Sequence, residues 1–338
     1  MTDHPYPSHP HHHAVAAHQP TVPHAPVDNL TMKKTIRIGT RGSKLALWQA
    51  NWVKDTICLG FPEIEVKIIT IKTTGDMIVD RPLAMVGGKG LFVKEIEKAL
   101  MESSIDIAVH SMKDMPGELP DGLVIGAIPQ RENPFDVLIS RGNLTLKELP
   151  EKARVGTSSL RRASQIKHAR PDLEISSIRG NLDTRLKKLA SGEFDATLLA
   201  AAGLIRLGME DVISEYMDEE IMLPAVGQGA LCIQSRKEDR SMDPILALLN
   251  HPDTNTVVRG ERAFLRRLEG SCHIPVACFG RLENGQVILT GVVASENGET
   301  MVKEVVTGKP EDVVKTGMDL AEILLAKGAD KILENLKS

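Results

Sequence analysis

Two adjacent arginines open a predicted helix directly after a short strand and a small polar turn. The stretch reads Ala153-Arg154-Val155-Gly156-Thr157-Ser158-Ser159-Leu160-Arg161-Arg162-Ala163. The first N–H groups of a helix have no intrahelical partner and lie at the positive end of its dipole, so this turn can hold an oxyanion. The two guanidinium groups can each match a carboxylate or phosphate at two points. The pattern predicts an anion site, and a capped helix with solvated arginines is the alternative for Arg161 and Arg162 taken alone.

Three further arginines stand in similar positions. Arg179 follows a strand, Arg185 comes early in the next helix, and Arg41 lies between the strand Thr35–Thr40 and a helix for which Ser43 is a natural N-cap. Open α/β sheets bind ligands at the carboxyl ends of their strands. Such repetition favours a shared anion-binding edge over scattered solvated side chains.

A lysine and an aspartate lie side by side in the loop Ser111-Met112-Lys113-Asp114-Met115-Pro116, which follows a strand ending near Val109. A carboxylate flanked by cations can stay ionised and stabilise a developing positive charge, or transfer protons if it is partly desolvated. A surface ion pair between Lys113 and Asp114 is the alternative. We interpret His110 as a hydrogen-bonded residue at the strand end rather than as a catalyst.

Two loop residues could also carry chemistry. The segment Gly87-Gly88-Lys89-Gly90 predicts either a mobile loop that brings Lys89 to a cleft or a plain surface turn; it lacks the glycine spacing and the Ser or Thr of a phosphate loop. Cys272 lies on a loop after a helix stop at Gly270, where it is either an accessible thiol or, as its residue type alone favours, a buried inert one. A zinc site with Cys278 lacks the usual spacing and two further ligands, so no metal is predicted.

Composition restricts the possible partners. The 338-residue chain has a formal net charge of -4 and 25% charged residues, which gives no general basic field for nucleic acid. Its longest apolar run, residues 196–205, is too short to span a membrane. The four cysteines include no CxxC pair and suit a reducing compartment. We therefore expect a cytoplasmic protein that acts on a small molecule, without a membrane or nucleic-acid partner.

The N-terminal stretch 1–32 has the composition of a disordered extension. It holds seven of the eleven histidines and several prolines, and it has no lysine or arginine. A secretory signal needs a basic region before an apolar one, and a transit peptide needs arginine. We predict disorder, with Met32 as an alternative start, and no functional metal site at the histidine run 11–13.

The remaining chain alternates strands and helices, which predicts mostly parallel sheets covered by helices on both faces. The first helix places Leu45, Trp48 and Trp52 along one face. Two proline-containing segments, residues 129–134 and 224–230, are predicted crossings between lobes, and two crossings imply a hinged cleft. The predicted domains are the extension 1–32, lobe 1 (33–130 with 229–248), lobe 2 (131–228) and a C-terminal α+β domain (249–338).

Six motifs in order resemble the porphobilinogen deaminase family over residues 35–336. They are Gly39-Thr40-Arg41-Gly42-Ser43-Lys44-Leu45-Ala46, Gly87-Gly88-Lys89-Gly90-Leu91-Phe92, Val109-His110-Ser111-Met112-Lys113-Asp114, Gly156-Thr157-Ser158-Ser159-Leu160-Arg161-Arg162, Leu223-Pro224-Ala225-Val226-Gly227-Gln228-Gly229 and Leu268-Glu269-Gly270-Ser271-Cys272. The resemblance implies an α/β fold of two hinged periplasmic-binding-protein-like lobes with mixed, mostly parallel sheets, plus a small C-terminal α+β domain.

The resemblance also implies an activity. Members of the family join four porphobilinogen molecules head to tail with loss of ammonia and then release hydroxymethylbilane, and they are expected to act as monomers. A covalent dipyrromethane cofactor would be attached to Cys272, and Asp114 corresponds to the catalytic acid. The implied contacts to acetate and propionate groups are Arg41, Ser43, Lys89, Lys113, Ser159, Arg161, Arg162, Arg179, Arg185 and Arg206, with Gln49, Asp76 and Phe92 as further cleft positions.

The sequence departs from the family pattern at Met85, where many members carry a cofactor-contacting lysine, and in the extension 1–32. Two other classes of protein remain as alternatives. A non-enzymatic carboxylate receptor with two lobes would need the arginines but neither Asp114 nor Cys272, and it would normally carry a signal peptide. A phosphate-binding transferase would need a hydroxyl residue directly after Lys89.

Overall fold

The computed structural model describes residues 32–77, 90–268 and 275–337 of the chain. The predicted site residues Lys89 and Cys272 lie outside these ranges, as do Met85 and residues 1–31 of the predicted disordered extension. Three β-sheets and their helices make up the described part. No helix in these ranges is long and apolar enough to cross a membrane.

The elements follow one another in chain order. Residues 35–127 form β1 (Thr35–Thr40), α1 (Lys44–Gly60), β2 (Glu65–Thr70), α2 (Thr74–Met77), α3 (Lys94–Met101), β3 (Ile107–Ser111) and β4 (Leu123–Ala127). Residues 136–216 form β5 (Asp136–Ser140), β6 (Arg154–Gly156), α4 (Leu160–Ala169), β7 (Glu174–Ser176), α5 (Leu182–Ala190), β8 (Ala196–Ala200), α6 (Ala201–Arg206) and β9 (Glu215–Tyr216). Residues 231–337 form β10 (Leu231–Arg236), α7 (Asp243–Leu249), α8 (Pro252–Arg267), β11 (Val276–Glu283), β12 (Gln286–Ala294), β13 (Met301–Gly308), α9 (Val313–Leu324) and α10 (Asp330–Lys337).

The two lobes repeat one sheet topology. The first sheet has the strand order β2-β1-β3-β10-β4 and the second has the order β7-β6-β8-β5-β9. In each, one strand is antiparallel to both neighbours, β10 in the first and β5 in the second, and the other four run in the same direction. This confirms the predicted mixed, mostly parallel sheets.

The reversed strands help to form the edge at the carboxyl ends of the parallel strands. Because β5 and β10 run against their neighbours, their amino ends lie at the carboxyl ends of the parallel strands. Asp136 at the start of β5 pairs with Ala200 at the end of β8, and Leu231 at the start of β10 pairs with Ser111 at the end of β3. Residues that follow the two crossings are thereby brought to the same edge as the loops after β1, β3, β6 and β7.

The C-terminal domain packs a three-stranded antiparallel sheet, β11-β12-β13, against α8 and α9. Phe264, Leu289 and Leu320 are fully buried in its core. The strand β11 lies outside the sequence prediction, because Gly280 and Arg281 interrupt its apolar run. The sheet and the helices of this domain agree with the predicted α+β class.

The first helix differs from its prediction. The buried residues of α1 are Gln49, Ala50, Val53 and Ile57, so the inward face is displaced by about one position from the expected Leu45, Trp48 and Trp52. Trp52 packs against the lobe core, whereas Trp48 is 38% exposed. The displacement is possible because the buried amide of Gln49 hydrogen-bonds to Ser111, with Nε2 and Oγ 3.2 Å apart.

Both crossings are attached to the C-terminal domain by Glu261 on α8, which is completely buried. Its carboxylate accepts two hydrogen bonds from Arg131 of the first crossing, at 2.7 and 2.9 Å. It also accepts the backbone N–H groups of Gly227, in the second crossing, and of Gly280. One carboxylate thus joins two connections that are far apart in sequence.

Candidate active site

A cavity of about 180 Å³ lies between the lobes at the shared strand edge. Lobe 1 contributes Leu45, Gln49, Ser111 and Lys113, and lobe 2 contributes Leu182, the segment 199–204 in part, Arg206 and Leu207. The wall from lobe 2 is mainly apolar, and the polar groups stand around it. This arrangement suits a flat ring with charged substituents, because the ring can pack on the apolar wall while the charges reach the rim.

Arg41 is held at the carboxyl end of β1 by two contacts. Its Nε donates to Asp76 at 3.0 Å, and its guanidinium carbon lies 4.1 Å above the centre of the Phe92 ring. Burial alone would raise the pKa of Asp76, but hydrogen bonds from Arg41 and Thr73 lower it below its usual value. Three predicted site residues are therefore brought together, with Asp76 and Phe92 orienting Arg41.

Lys113 and Asp114 lie on a 3₁₀ turn that directly follows β3. Burial and the nearby positive charge of Arg162 lower the pKa of Lys113 to about 8, against the opposing effect of Asp114 and Asp136. Burial raises the pKa of Asp114, while the positive charges of Lys113 and Arg41 oppose the rise. Asp114 is thus a buried carboxylate set among cations, where burial favours its protonated form and the neighbouring charges favour its ionised form.

Arg161 and Arg162 share Asp136, whose carboxylate is completely buried. Arg161 donates to both carboxylate oxygens, at 2.7 and 3.1 Å, and also to Leu223 O and Gln228 Oε1. Arg162 donates to Asp136 through Nε at 2.8 Å and has one long contact, 3.4 Å, from Nη1 to Leu198 O. All hydrogen-bond donors on the terminal nitrogens of Arg161 are thus used by protein groups, so the alternative of a solvated side chain is wrong for Arg161. The terminal nitrogens of Arg162 still have unused donors.

The predicted serines act first as helix caps. Ser43 Oγ accepts the N–H of Ala46 at the start of α1, and Ser159 Oγ accepts the N–H of Arg162 at the start of α4, at 3.3 and 3.2 Å. Ser158 Oγ donates to Ile178 O at 2.8 Å. These bonds fix the turns from which Arg41 and Arg162 project.

Of three further arginines of lobe 2, Arg206 lines the cavity, whereas Arg179 and Arg185 are not among its lining residues. Arg179 follows β7 and is partly exposed. Arg185 Nε donates to Gly180 O at 2.9 Å, and its pKa is lowered by burial and by the charge of Arg162. Arg206 Nη2 donates to Gly229 O at 2.9 Å, and burial lowers its pKa to about 10. Within the described residues, neither Arg185 nor Arg206 forms a salt bridge with a carboxylate.

His110 is a buried strand-end residue, as predicted. Its Nε2 lies 2.9 Å from Gln234 Oε1, and burial lowers its pKa to about 4, so it is neutral at physiological pH. The amide of Gln234 in turn donates to Glu97 at 2.7 Å. We assign this chain of buried polar groups to the support of β3 and not to chemistry.

Two residues at the site were missed by sequence reasoning. Asp136 and Gln228 are both fully buried and both contact Arg161. The available signal was an acid at the start of the strand after the first crossing, together with a glutamine in the second crossing. These residues can be assigned to the site only when β5 is known to run antiparallel to its neighbours, because that direction places Asp136 beside the end of β8.

The described part of the site carries more positive than negative charge, and several of its cations are partly buried without an acidic partner. Burying a cation without a neighbouring anion costs free energy, and a bound anion would remove that cost. The geometry therefore fits a ligand with several carboxylates. Asp114 adds the one group suited to proton transfer or to stabilising a transient cation. No cluster of metal-ligating side chains is present among the described residues.

Two family models match the chain. Residues 36–244 match "Porphobilinogen deaminase, dipyromethane cofactor binding domain", and residues 256–326 match "Porphobilinogen deaminase, C-terminal domain". The first match alone includes both lobes, with every described site residue discussed above.

Curated relatives agree along most of the chain. The porphobilinogen deaminase of Geobacter metallireducens is 53% identical over 300 residues, which is 89% of this chain and 94% of that protein. The porphobilinogen deaminase of Geobacter sulfurreducens is 52% identical over 298 residues, 88% of this chain and 93% of that protein. Among solved structures, the periplasmic aliphatic sulphonate binding protein from Escherichia coli is similar at 13% identity and a TM-score of 0.38, over 70% of this chain and 71% of that one.

Proposed function

This chain belongs to the porphobilinogen deaminase family, and we propose how its own residues perform the family's reaction. The reaction joins four porphobilinogen molecules head to tail, with loss of one ammonia for each, and releases the linear product hydroxymethylbilane. The observation that carries the assignment of roles is a cleft rimmed by arginines and lysine in which Asp114 is the acidic group on the turn after β3.

The residues of the cleft fit the family's dipyrromethane cofactor, for which we propose Cys272 as the attachment point through a thioether. When bound, the cofactor supplies the pyrrole carbon to which the first porphobilinogen is joined. We propose that its acidic side chains bind Lys113 and Arg206. Burial lowers the pKa of Lys113 to about 8 and that of Arg206 to about 10, and a nearby carboxylate would stabilise the charged form of each.

We assign carboxylate binding to the basic and hydroxyl side chains that match the family's carboxylate contacts. A charge-assisted hydrogen bond contributes roughly 1.5–3 kcal/mol, and a chain that gains two carboxylates with each added pyrrole needs several of them. The proposed contacts are Arg41, Ser43, Lys89, Lys113, Ser159, Arg162, Arg179, Arg185 and Arg206. Arg161 contributes through Asp136, by holding the acid that orients Arg162.

Asp114 is the proposed catalytic residue. In its protonated form it donates to the amino group of porphobilinogen as ammonia leaves. In its ionised form it stabilises the positive charge that develops on the substrate ring, which no arginine could do. Two opposing effects act on its pKa: burial raises it, and the charges of Lys113 and Arg41 oppose that rise.

The apolar wall contributed by lobe 2 has a separate task. Leu182, Leu199 and Leu204 line the cavity and offer no hydrogen bond to water. An electrophilic methylene group formed by loss of ammonia is open to attack by water, so a dry wall favours attack by the pyrrole instead. Gln49 and Ser111, which hydrogen-bond to each other, supply polar groups at the edge of that wall.

We further propose that the protein acts as a cytoplasmic monomer with porphobilinogen as its small-molecule partner and without nucleic-acid or membrane partners. The composition supports this proposal through a net charge of -4 and cysteines suited to a reducing compartment. Light scattering of the purified full-length chain tests the monomer, for which a mass near 36.9 kDa is expected.

Intact-protein mass spectrometry tests the proposed attachment. Wild-type chain expressed in a host that makes porphobilinogen is expected to exceed its sequence mass by two linked pyrrole units, and Cys272→Ser is expected to lose the excess. Cys278→Ser is the matched control, because that buried cysteine lies in β11 and should leave the excess in place. A wild-type mass equal to the bare chain would instead indicate a carboxylate-binding protein without a primer.

A further inference from the structure

Trp48 occupies an unusual position for a large apolar side chain. It lies on α1 of lobe 1, one position away from the buried face of that helix, and is 38% exposed. Its ring is directed at lobe 2, where the guanidinium carbon of Arg206 lies 5.9 Å from the ring centre. Trp52, one helical turn further on, packs instead into the core of lobe 1.

The helices that carry these two residues contact each other across the cleft. A Cβ added at Gly203 would lie 3.4 Å from Leu45 Cδ2, an ordinary van der Waals distance, so α6 lies directly beside α1 at this point. Leu45 and Gly203 also line the cavity between the lobes. Trp48 and Arg206 therefore meet at a true contact between lobes, beside the cavity.

Arg206 has few other contacts to hold it. Its Nη2 donates to Gly229 O in the second crossing, and no carboxylate within the described ranges forms a salt bridge with it. Glu132 acts on it only through space. A partly buried guanidinium with one carbonyl partner keeps several donors for a ligand, but its long side chain needs a second contact to stay in one orientation.

We propose that Trp48 is a positioning residue, which holds Arg206 in the orientation that binds a substrate carboxylate when the lobes are together. Tryptophan is the side chain best suited to this task, because its ring face attracts a cation without competing for the donors of the guanidinium. The proposal rests on the assignment of Arg206 to carboxylate binding. It also makes the carboxylate affinity depend on the contact between lobes, because the cation lies on one lobe and the ring on the other.

The first test is a double-mutant cycle on the porphobilinogen KM of the primer-loaded enzyme. Trp48→Leu is expected to raise KM about three- to tenfold with little change in kcat, and Trp48→Phe is expected to fall between wild type and leucine. In an Arg206→Gln background the same Trp48→Leu change is expected to alter KM less than about twofold, since its target is gone. An equal effect of Trp48→Leu in both backgrounds, or an unchanged KM in the wild-type background, would overturn the proposal.

A second test needs no turnover. The chain has two tryptophans, so a Trp52→Phe variant leaves Trp48 as the sole tryptophan reporter. Arg206→Gln in that background is expected to move the Trp48 emission to longer wavelength, as the ring loses its cover. Arg185→Gln is the matched control, because that arginine contacts Gly180 O instead, and it should leave the emission unchanged. If Arg206→Gln leaves the Trp48 emission wavelength unchanged, the proposed contact between Trp48 and Arg206 is wrong.

These tests, together with the intact mass of the wild-type chain, distinguish a failure of this proposal from a failure of the proposed function. If intact mass shows no primer on the wild-type chain, the function assigned to the cleft fails, whatever the emission shows. If the primer is present and KM responds to Arg206→Gln but not to Trp48→Leu, Arg206 binds carboxylate without help from Trp48, and only the positioning role falls.

Discussion

Asp136 accepts hydrogen bonds from both Arg161 and Arg162, yet the two arginines have different tasks. The terminal nitrogens of Arg161 donate to Asp136, Leu223 O and Gln228 Oε1, whereas Arg162 donates to Asp136 through Nε and has one long contact from Nη1 to Leu198 O. A buried carboxylate between two cations keeps both charged and fixed, which is what binding an anion of changing size requires.

This difference predicts opposite phenotypes for two neighbouring substitutions. Arg161→Met should lower the free energy of unfolding by roughly 3–5 kcal/mol, because it removes the two-point partner of the buried Asp136. Arg162→Met should cost less stability, since Arg161 still pairs with Asp136, but should reduce the fraction of chains that carry the primer. Chemical denaturation and intact mass measure the two effects, and equal losses of stability would contradict the division of roles.

Replacement of Asp114, the proposed catalytic residue, is expected to have a different effect. Asp114→Asn preserves the size of the side chain but cannot ionise, so we expect kcat to fall by about 10²–10⁴ while the primer is retained. Intact mass confirms loading before the rate is measured. A loaded Asp114→Asn enzyme with a near-normal rate would exclude the proposed role of Asp114.

Lys113 predicts a pH dependence of substrate capture. Its pKa in the free protein is lowered to about 8, so the charged form that attracts carboxylates predominates below that pH and is lost as pH rises through it. The ratio kcat/KM should therefore decline above about pH 8. Lys113→Arg keeps its charge to a much higher pH and should shift this decline upward. Identical profiles for the two enzymes would show that another group controls the decline.

At the level of elements, the main connection between the lobes and the C-terminal domain is the attachment of both crossings to α8. Arg131, Gly227 and Gly280 all donate to the buried carboxylate of Glu261, so the first crossing, the second crossing and the C-terminal sheet share one acceptor. Gln228 adds a second link, since its side-chain amide donates to Pro134 O of the first crossing at 2.7 Å and its backbone carbonyl accepts from Arg131 Nε. The crossings are thereby joined to each other and to the helix that precedes the segment with Cys272.

Glu261→Gln tests this attachment. The substitution removes the carboxylate charge that pairs with the buried Arg131, so we expect the free energy of unfolding to fall by about 3–5 kcal/mol. Asp319→Asn is the matched control, because Asp319 pairs with Lys315 on an exposed helix face at 3.3 Å and should cost less than about 1 kcal/mol. Similar losses for the two variants in chemical denaturation would show that the attachment adds no stability of its own.

The elements were largely predictable from local patterns, and the contacts between them were not. Apolar alternation marks β6 and β8, and Ser159 marks the start of α4, because these signals lie within a few residues of one another. The pairing of Asp136 with Arg161 and of Arg131 with Glu261 depends on strand direction and on packing between domains. The outward direction of Trp48 likewise followed from the hydrogen bond of Gln49 and not from hydrophobicity.

At the level of the whole molecule, the repeated sheet topology builds one ligand edge from two lobes. Each lobe adds cations at its strand ends, lobe 1 through Arg41 and Lys113, and lobe 2 through Arg162, Arg185 and Arg206. Because the lobes meet at this edge and Glu261 joins their two crossings, we expect a chain of pyrroles that gains charge at every step to stay in contact with cations from both lobes.

The central claim is that this cleft lengthens a polyacid that remains attached to the protein. The most direct test is the intact mass of the primer-loaded chain after mixing with less porphobilinogen than is needed for one turnover. We predict a series of masses separated by one porphobilinogen less one ammonia, each disappearing when Cys272→Ser is used. Product formation by a wild-type chain whose mass never changes would contradict the claim.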